Sequence, residues 1–165
     1  MRKETISVQI LKNSLELFYP GGEWIKIPDV GMSGKSGTRF MRIRPYDAIY
    51  NYMGNTAAFE VKTINGKTFN FSKIKDHQIK NLLKSAINLN NAFIVINFFK
   101  PHELDVFYFI EIDDFLYMVE TYPKGNIKID ELDKSYLYYA KSEAQSFKGS
   151  KGKVLDLKDK YIMGE

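Results

Sequence analysis

The stretch TAAFEVKTI, residues 56–64, decides how this chain is read. Its alanines, β-branched residues and Phe59 suit a buried strand. Only Glu60 and Lys62 carry charge, and two residues apart in a strand they point to one face. The segment before it, TRFMRIRPYDAIYNYMG at 38–54, alternates Phe40, Arg42 and Arg44 against Arg39, Met41 and Ile43. It reads as a strand made irregular by Pro45, with Gly54-Asn55 supplying a hairpin turn. Asp47 then approaches Glu60 across the strand pair. Two carboxylates side by side are unfavourable unless a cation neutralises them. Oxygen ligands select a hard divalent ion, Mg²⁺ first and Mn²⁺ as its substitute. Such an ion would activate water and stabilise charge on a phosphodiester. Lys62 would orient or help deprotonate that water, or stabilise the pentavalent phosphate.

The neighbours of this motif supply a scaffold. SKIKDHQIKNLLKSAINL, 72–89, places Ile79, Leu82, Leu83, Ala86 and Ile87 at i, i+3, i+4, i+7 and i+8, an amphipathic helix. NAFIVINFF, 91–99, is a continuous apolar run suited to a buried central strand. DVFYFIEI reads as a further strand and DDFLYMVE as a short helix. Upstream, ETISVQILKNSLELFY has helical spacing, Pro20-Gly21-Gly22 stops it, and EWIKIPD alternates as a short strand. The tail holds SYLYYAKSEAQSF, the basic KGSKGK and a last strand in VLDL. This order gives an α/β domain, a mixed central β-sheet flanked by helices. A single domain is expected over 1–165, with a core at about 39–118 and a basic C-terminal extension at about 134–165.

Composition sets limits. Hydrophobic content of 44% over 165 residues supports a proper core, and 15% aromatics argue against disorder. There is no cysteine, which excludes disulfides and zinc–thiolate sites. No apolar run is long enough to span a bilayer, the first residues lack a signal-peptide core, and the cytoplasm is the expected location. The net charge of +4 is unevenly spread. Residues 103–133 carry nine acids and two lysines, whereas 62–100 carry seven lysines and one acid, Asp76. The chain can therefore present a basic face to a polyanion.

At these residues the chain resembles a known family. RPYDAIY…AAFEVKTINGKTFNFSKIKDHQIKNLLKSAINLNNAFIVINFF looks like the core of the PD-(D/E)XK nucleases. Within them it is most similar to the RecU-type Holliday-junction resolvases of Gram-positive bacteria and their phages. The resemblance covers about residues 39–118 and rests chiefly on the EVK…DHQI arrangement. It implies a restriction-endonuclease-like fold and a metal-dependent endodeoxyribonuclease that resolves four-way junctions by paired symmetric nicks. Asp47 and Glu60 would bind the metal with the Val61 carbonyl, Lys62 would assist the nucleophile, and Gln78 would touch the site or the attacking water. His77, about 100° around the helix from Gln78, reads as a surface or DNA-backbone residue. The first helix departs from the family pattern, with only Glu4 and Glu16 as acids. Glu16 is the better candidate for an extra acidic group, and a solvated helix face is its plainer role. The short GMSGKSG loop, residues 31–37, stands where the family has a protruding stalk, and a phage version of the family is plausible.

That loop ends in GKS, as a phosphate-binding P-loop does. The pattern would need glycine at position 29, which is Asp29, and a helix after Ser36, where a strand pattern follows instead. No nucleotide cofactor is expected. DNA phosphates are expected to meet Lys35, Arg39, Arg42, Arg44, Lys73, Lys75 and Lys80, and Lys148, Lys151 and Lys153 are candidates for a clamp from the tail. A junction with near two-fold symmetry suits a homodimer, and no membrane partner is expected. Two other readings stay open: a related endonuclease acting on flaps, ends or specific duplex sites, and a non-catalytic DNA-binding module that keeps the fold.

Overall fold

In the computed structural model, residues 3–28, 44–99, 105–148, 150 and 152–164 are described. Helix α1 (Lys3–Phe18) is followed by β1 (Glu23–Lys26), β2 (Ala48–Tyr52), β3 (Asn55–Asn65) and β4 (Thr68–Asn70). A 3₁₀ turn (Phe71–Lys73) leads into α2 (Asp76–Leu89), then β5 (Asn90–Phe99), β6 (Val106–Glu111) and α3 (Ile112–Thr121). Strand β7 (Asn126–Lys128), α4 (Ile129–Lys134), β8 (Ala140–Ser146) and β9 (Lys153–Leu155) complete the order.

Seven strands form one mixed sheet in the order β1-β2-β3-β5-β6-β8-β9, and β4 pairs β7 in a separate ribbon. Only β3 and β5 run parallel, from Thr56↔Asn90 to Asn65↔Phe99. Parallel neighbours need a crossover, and α2 is that connection. The apolar run that forms β5 lies at the middle of the sheet, buried on both faces, as its composition requires.

The alternation of β3 divides the core. Ala57, Phe59 and Val61 face α1 with Phe93, Val95, Phe107 and Phe109. Ala58 and Ile64 face Leu82 of α2 and Phe115 of α3 with Ile94 and Ile96. Glu60 and Lys62 share the parity of Ala58 and Ile64, so they open toward α2.

The hairpin turn lies one residue earlier than the Gly54-Asn55 pattern indicates. Asn55 already pairs with Tyr52, and the two loop residues are Met53 and Gly54, at φ 47° and 84°. A type I′ hairpin turn needs positive φ at both positions, and Met53 adopts it despite its side chain. Strand β2 begins at Ala48, so Arg44–Asp47 is not strand, and residues 39–43 of that expected strand lie outside the described residues. Helix α2 is rotated from its apolar spacing. Gln78, Leu82 and Ser85 are its buried line, Ile79, Leu83 and Ala86 flank it, and Ile87 is 81% exposed.

The C-terminal segment packs into the core. Strand β8 pairs with β6 and β9 with β8. The Leu155 N–H donates to Ser14 Oγ at 2.8 Å, and Ser14 donates to the Ile10 carbonyl at 2.6 Å. The Ile162 N–H donates to the Tyr19 hydroxyl at 3.0 Å. These pairings span the whole sequence, which is why local patterns alone show only VLDL as a strand.

Gly22 fixes how the α1–β1 turn meets the sheet. A Cβ there would lie 2.5 Å from the ring and hydroxyl of Tyr50. That ring is fully buried, and its hydroxyl donates to the Tyr19 carbonyl at 2.7 Å, so it has no easy retreat. Gly22→Ala is expected to destabilise the protein by about 1–3 kcal/mol, read as a lower midpoint in urea. An unchanged midpoint would show that the turn yields instead.

Candidate active site

Asp47, Glu60, Lys62 and Gln78 converge at the start of the β2–β3 pair. Asp47 is held by its own backbone. Its N–H donates to the Phe59 carbonyl and its carbonyl accepts from the Ile27 N–H, both at 2.9 Å. Ala48 pairs with Phe59, and the bond from Asp47 to the carbonyl of that same residue keeps Asp47 beside Glu60, whose carboxyl feels its charge. The Asp47 side chain is nearly fully buried, 4% exposed. Its Oδ2 accepts from the Val61 N–H at 2.7 Å, and its Oδ1 accepts from the Arg44 guanidinium. In a strand, the N–H and C=O of one residue point to the same side. The Val61 carbonyl is therefore directed to the side that Asp47 occupies.

Glu60 is fully buried. Its Oε1 accepts from Lys62 Nζ and from Gln78 Nε2, each at 2.6 Å. Gln78 is oriented in turn by the Lys75 N–H, which donates to its Oε1 at 3.0 Å just ahead of α2. Glu60 Oε2 is buried and has no hydrogen-bond partner. Burial pushes the Glu60 carboxyl up to about 7, the Asp47 charge adds to the rise, and Lys62 and Arg44 pull it down.

A buried carboxylate oxygen with nothing to bond is costly, because its desolvation is not repaid. That oxygen beside a second buried carboxylate, oxygen donors only, fits a hard divalent cation. Among the described residues no three His, Asp or Glu side chains gather as a metal group. The groups here that could hold such an ion are Asp47, Glu60 and the Val61 carbonyl. Glu16 stands apart: α1 packs on the opposite face of β3, and Glu16 pairs with Lys12 at 2.5 Å.

Basic residues surround the site on the α2 side. A cleft of about 480 Å³ is lined by Lys3, Lys62, Thr63, Asn65, Lys73 and Lys75. A second, of about 670 Å³, is lined by Ser72, Ile74, Lys75, Asp76, His77 and Lys80, so Lys75 stands between the two. Lys35, Arg39 and Arg42 lie outside the described residues, as does the GMSGKSG loop. Lys153 opens β9, four strands from β3, which at about 4.8 Å per strand is roughly 19 Å across the sheet. It does not flank the site as a tail clamp would, and Lys151 lies outside the described residues. Spacing in the sequence pointed to neither Lys3, brought to the cleft by the packing of α1, nor Asn65, at the end of the strand that carries Lys62. The ion pair of Arg44 with Asp47 was legible only in part, as a basic residue near the acid.

The family model described as Recombination protein U matches residues 40–146, well past the end of α3. The chain belongs to the RecU family of Holliday-junction resolvases. A solved structure of Hjc, a Holliday junction resolvase from the hyperthermophilic archaeon Archaeoglobus fulgidus, is similar at 16% identity and a TM-score of 0.42. The likeness covers 68% of this chain and 75% of that one. No curated protein matches the chain. Among the described residues no helix is long and apolar enough to cross a membrane.

Proposed function

We propose that this chain hydrolyses phosphodiester bonds of four-way DNA junctions with Mg²⁺ held by Asp47, Glu60 and the Val61 carbonyl. The observation that carries this reading is the buried, unpartnered Glu60 Oε2 beside a second buried carboxylate. When bound, the ion would supply charge to activate water and to stabilise the developing negative charge on phosphate, with Mn²⁺ as its substitute. Gln78 and Lys62 hold Glu60 by Oε1, which leaves Oε2 as the atom offered to a ligand. The Val61 N–H and Arg44 fix the Asp47 carboxylate in the same way. Lys62 is partly exposed, so its ammonium has one side on Glu60 and the other toward substrate, where it orients the attacking water or the phosphate. Lys73, Lys75 and Lys80 stand on the rim and receive backbone phosphates, with Lys35, Arg39 and Arg42 as further contacts. Two copies related by a two-fold axis would place paired nicks symmetrically on the junction. The enzyme works in the cytoplasm of a bacterial cell or a phage-infected host.

The test incubates purified protein with labelled four-way junction, flap and linear duplex, in Mg²⁺, Mn²⁺ or EDTA. Paired symmetric nicks confined to the junction, abolished by EDTA, are the expected result. Equal cutting of flaps or duplex would replace the junction by another DNA substrate. No cutting with any metal would overturn the nuclease reading.

A further inference from the structure

The cleft beside Lys62 is built from a part of the chain that the catalytic motif does not include. Lys3, in the first turn of α1, reaches it from the opposite face of the sheet. Its Nζ donates to Asn65 Oδ1 at 2.9 Å and lies 4.3 Å from the centre of the Phe99 ring. An amide oxygen and an aromatic face orient an ammonium without neutralising it. The helix turn that carries Lys3 is itself anchored. Ser7 is fully buried, meets Thr63 Oγ1 at 2.6 Å, and accepts from Asn97 Nδ2 at 2.8 Å. Ser7 also donates to the Lys3 carbonyl at 3.3 Å. This network lies inside the sheet face and fixes the position of the turn relative to β3.

The charge of the cleft is one-sided. Lys3, Lys62, Lys73 and Lys75 line it, and Glu4 is its one acidic wall residue. Lys62 reaches both this cleft and Glu60, so an anion here would sit one side chain from the proposed metal-binding carboxylate. The space, about 480 Å³, is ample for a phosphate with part of its sugar. Its lining offers ammonium groups, a hydroxyl and an amide, and among the described lining residues no aromatic ring faces it for a base to stack on. That chemistry selects a phosphodiester and not a base.

We propose that this cleft seats a backbone phosphate of the cleaved strand, next to the scissile one, and that Lys3 is its anchoring cation. The proposal rests on the nuclease reading above and adds a positioning residue from outside the motif. A phosphate held here fixes where the strand crosses Lys62, and hence which bond meets the carboxylates. The same chemistry would accept a free phosphate or nucleotide, so the test separates these sources.

The experiment measures junction binding in EDTA, where nothing is cut, over a series of salt concentrations. Lys3→Gln is expected to weaken binding about fivefold and to flatten the salt slope by about 0.9, the loss of one phosphate contact. Lys3→Arg should restore both. Lys12→Gln, elsewhere on α1, removes the same charge and should change neither. A junction series in which single phosphates near the cut are replaced by neutral methylphosphonates locates the contact. One position should weaken wild-type binding and have no further effect on Lys3→Gln. Inorganic phosphate at millimolar concentration should not displace the junction; if it does, and the methylphosphonate series is flat, the cleft is a free-anion site and the proposal fails. Equal affinity and salt slope for wild type and Lys3→Gln, with the wild type still cutting junctions in Mg²⁺, overturns the role of Lys3 and leaves the nuclease reading intact. A wild type that neither binds nor cuts junctions removes that reading, and the proposal with it.

Discussion

Replacing Asp47 by asparagine is expected to lower junction cutting about a thousandfold while sparing fold and junction binding. The reason lies in which atoms the substitution keeps. The amide oxygen still accepts from the Val61 N–H, the contact that seats this side chain at 2.7 Å. The amide nitrogen replaces the carboxylate oxygen that accepts from Arg44, so a donor now faces a donor and the ion pair is lost. The charge offered to a cation falls by one, and the nitrogen is a poor ligand for a hard ion. Single-turnover cutting in Mg²⁺ and binding in EDTA read the two effects separately. Binding should stay within about threefold, because phosphate contacts come from the lysine rim and not from the carboxylate. If cutting persists at the wild-type rate, Asp47 is not a ligand and the site has been misplaced.

Glu60→Gln should move activity and stability in opposite directions. Cutting should be lost, as for Asp47. The metal-free protein, however, should become more stable above neutral pH. An unfolded glutamate titrates near 4.5, whereas the folded Glu60 carboxyl is pushed up to about 7. Below the lower value both states carry the proton, and nothing is gained or lost. Between the two the native state holds more protons, so stability falls as pH rises. Above about 7 the full cost stands, of order 3 kcal/mol. Glutamine keeps the shape and carries no charge, and Lys62, already partly solvated, loses little by the change. In EDTA at pH 8 the variant should melt several degrees above wild type, and its midpoint should not fall between pH 5 and 8. Mg²⁺ should raise the wild-type midpoint and leave the variant where it is. A variant that melts below wild type at pH 8 in EDTA would show that the charged carboxylate is satisfied without a cation.

This opposition also explains what the sequence made legible. Glu60 and Lys62 stand out because charge in an otherwise apolar strand is a local anomaly, visible in nine residues. The central position of β5 follows from its unbroken apolar run, and α2 from its spacing. Gln78 is placed near the site only by the family resemblance, not by the pattern of its own segment. Its place on the buried line of α2 follows from the Glu60 and Lys75 contacts, and these turn the helix until Ile87 faces solvent. Met53 hides its turn because methionine has no preference for positive φ. The β4–β7 ribbon and α4 are short, and the ribbon and β8 pair with strands far along the chain. Lys3 belongs to the same class: nothing at the first residues signals Asn65 or Phe99.

The bonds that join α1 to β9 and to Ile162 have a consequence for the order of folding. Ser14 meets Leu155, and Tyr19 meets Ile162, across separations of 141 and 143 residues. Until β9 is in place, α1 leaves part of its apolar face uncovered, because Ile10, Leu11 and Leu15 share a core cluster with Leu155. Contacts of such long separation close late. The β2–β3 hairpin, with Asp47 only 14 residues from Val61, closes early. The folding chain would therefore assemble its carboxylates first, and the end of α1 near Ser14 and Tyr19 would be secured last.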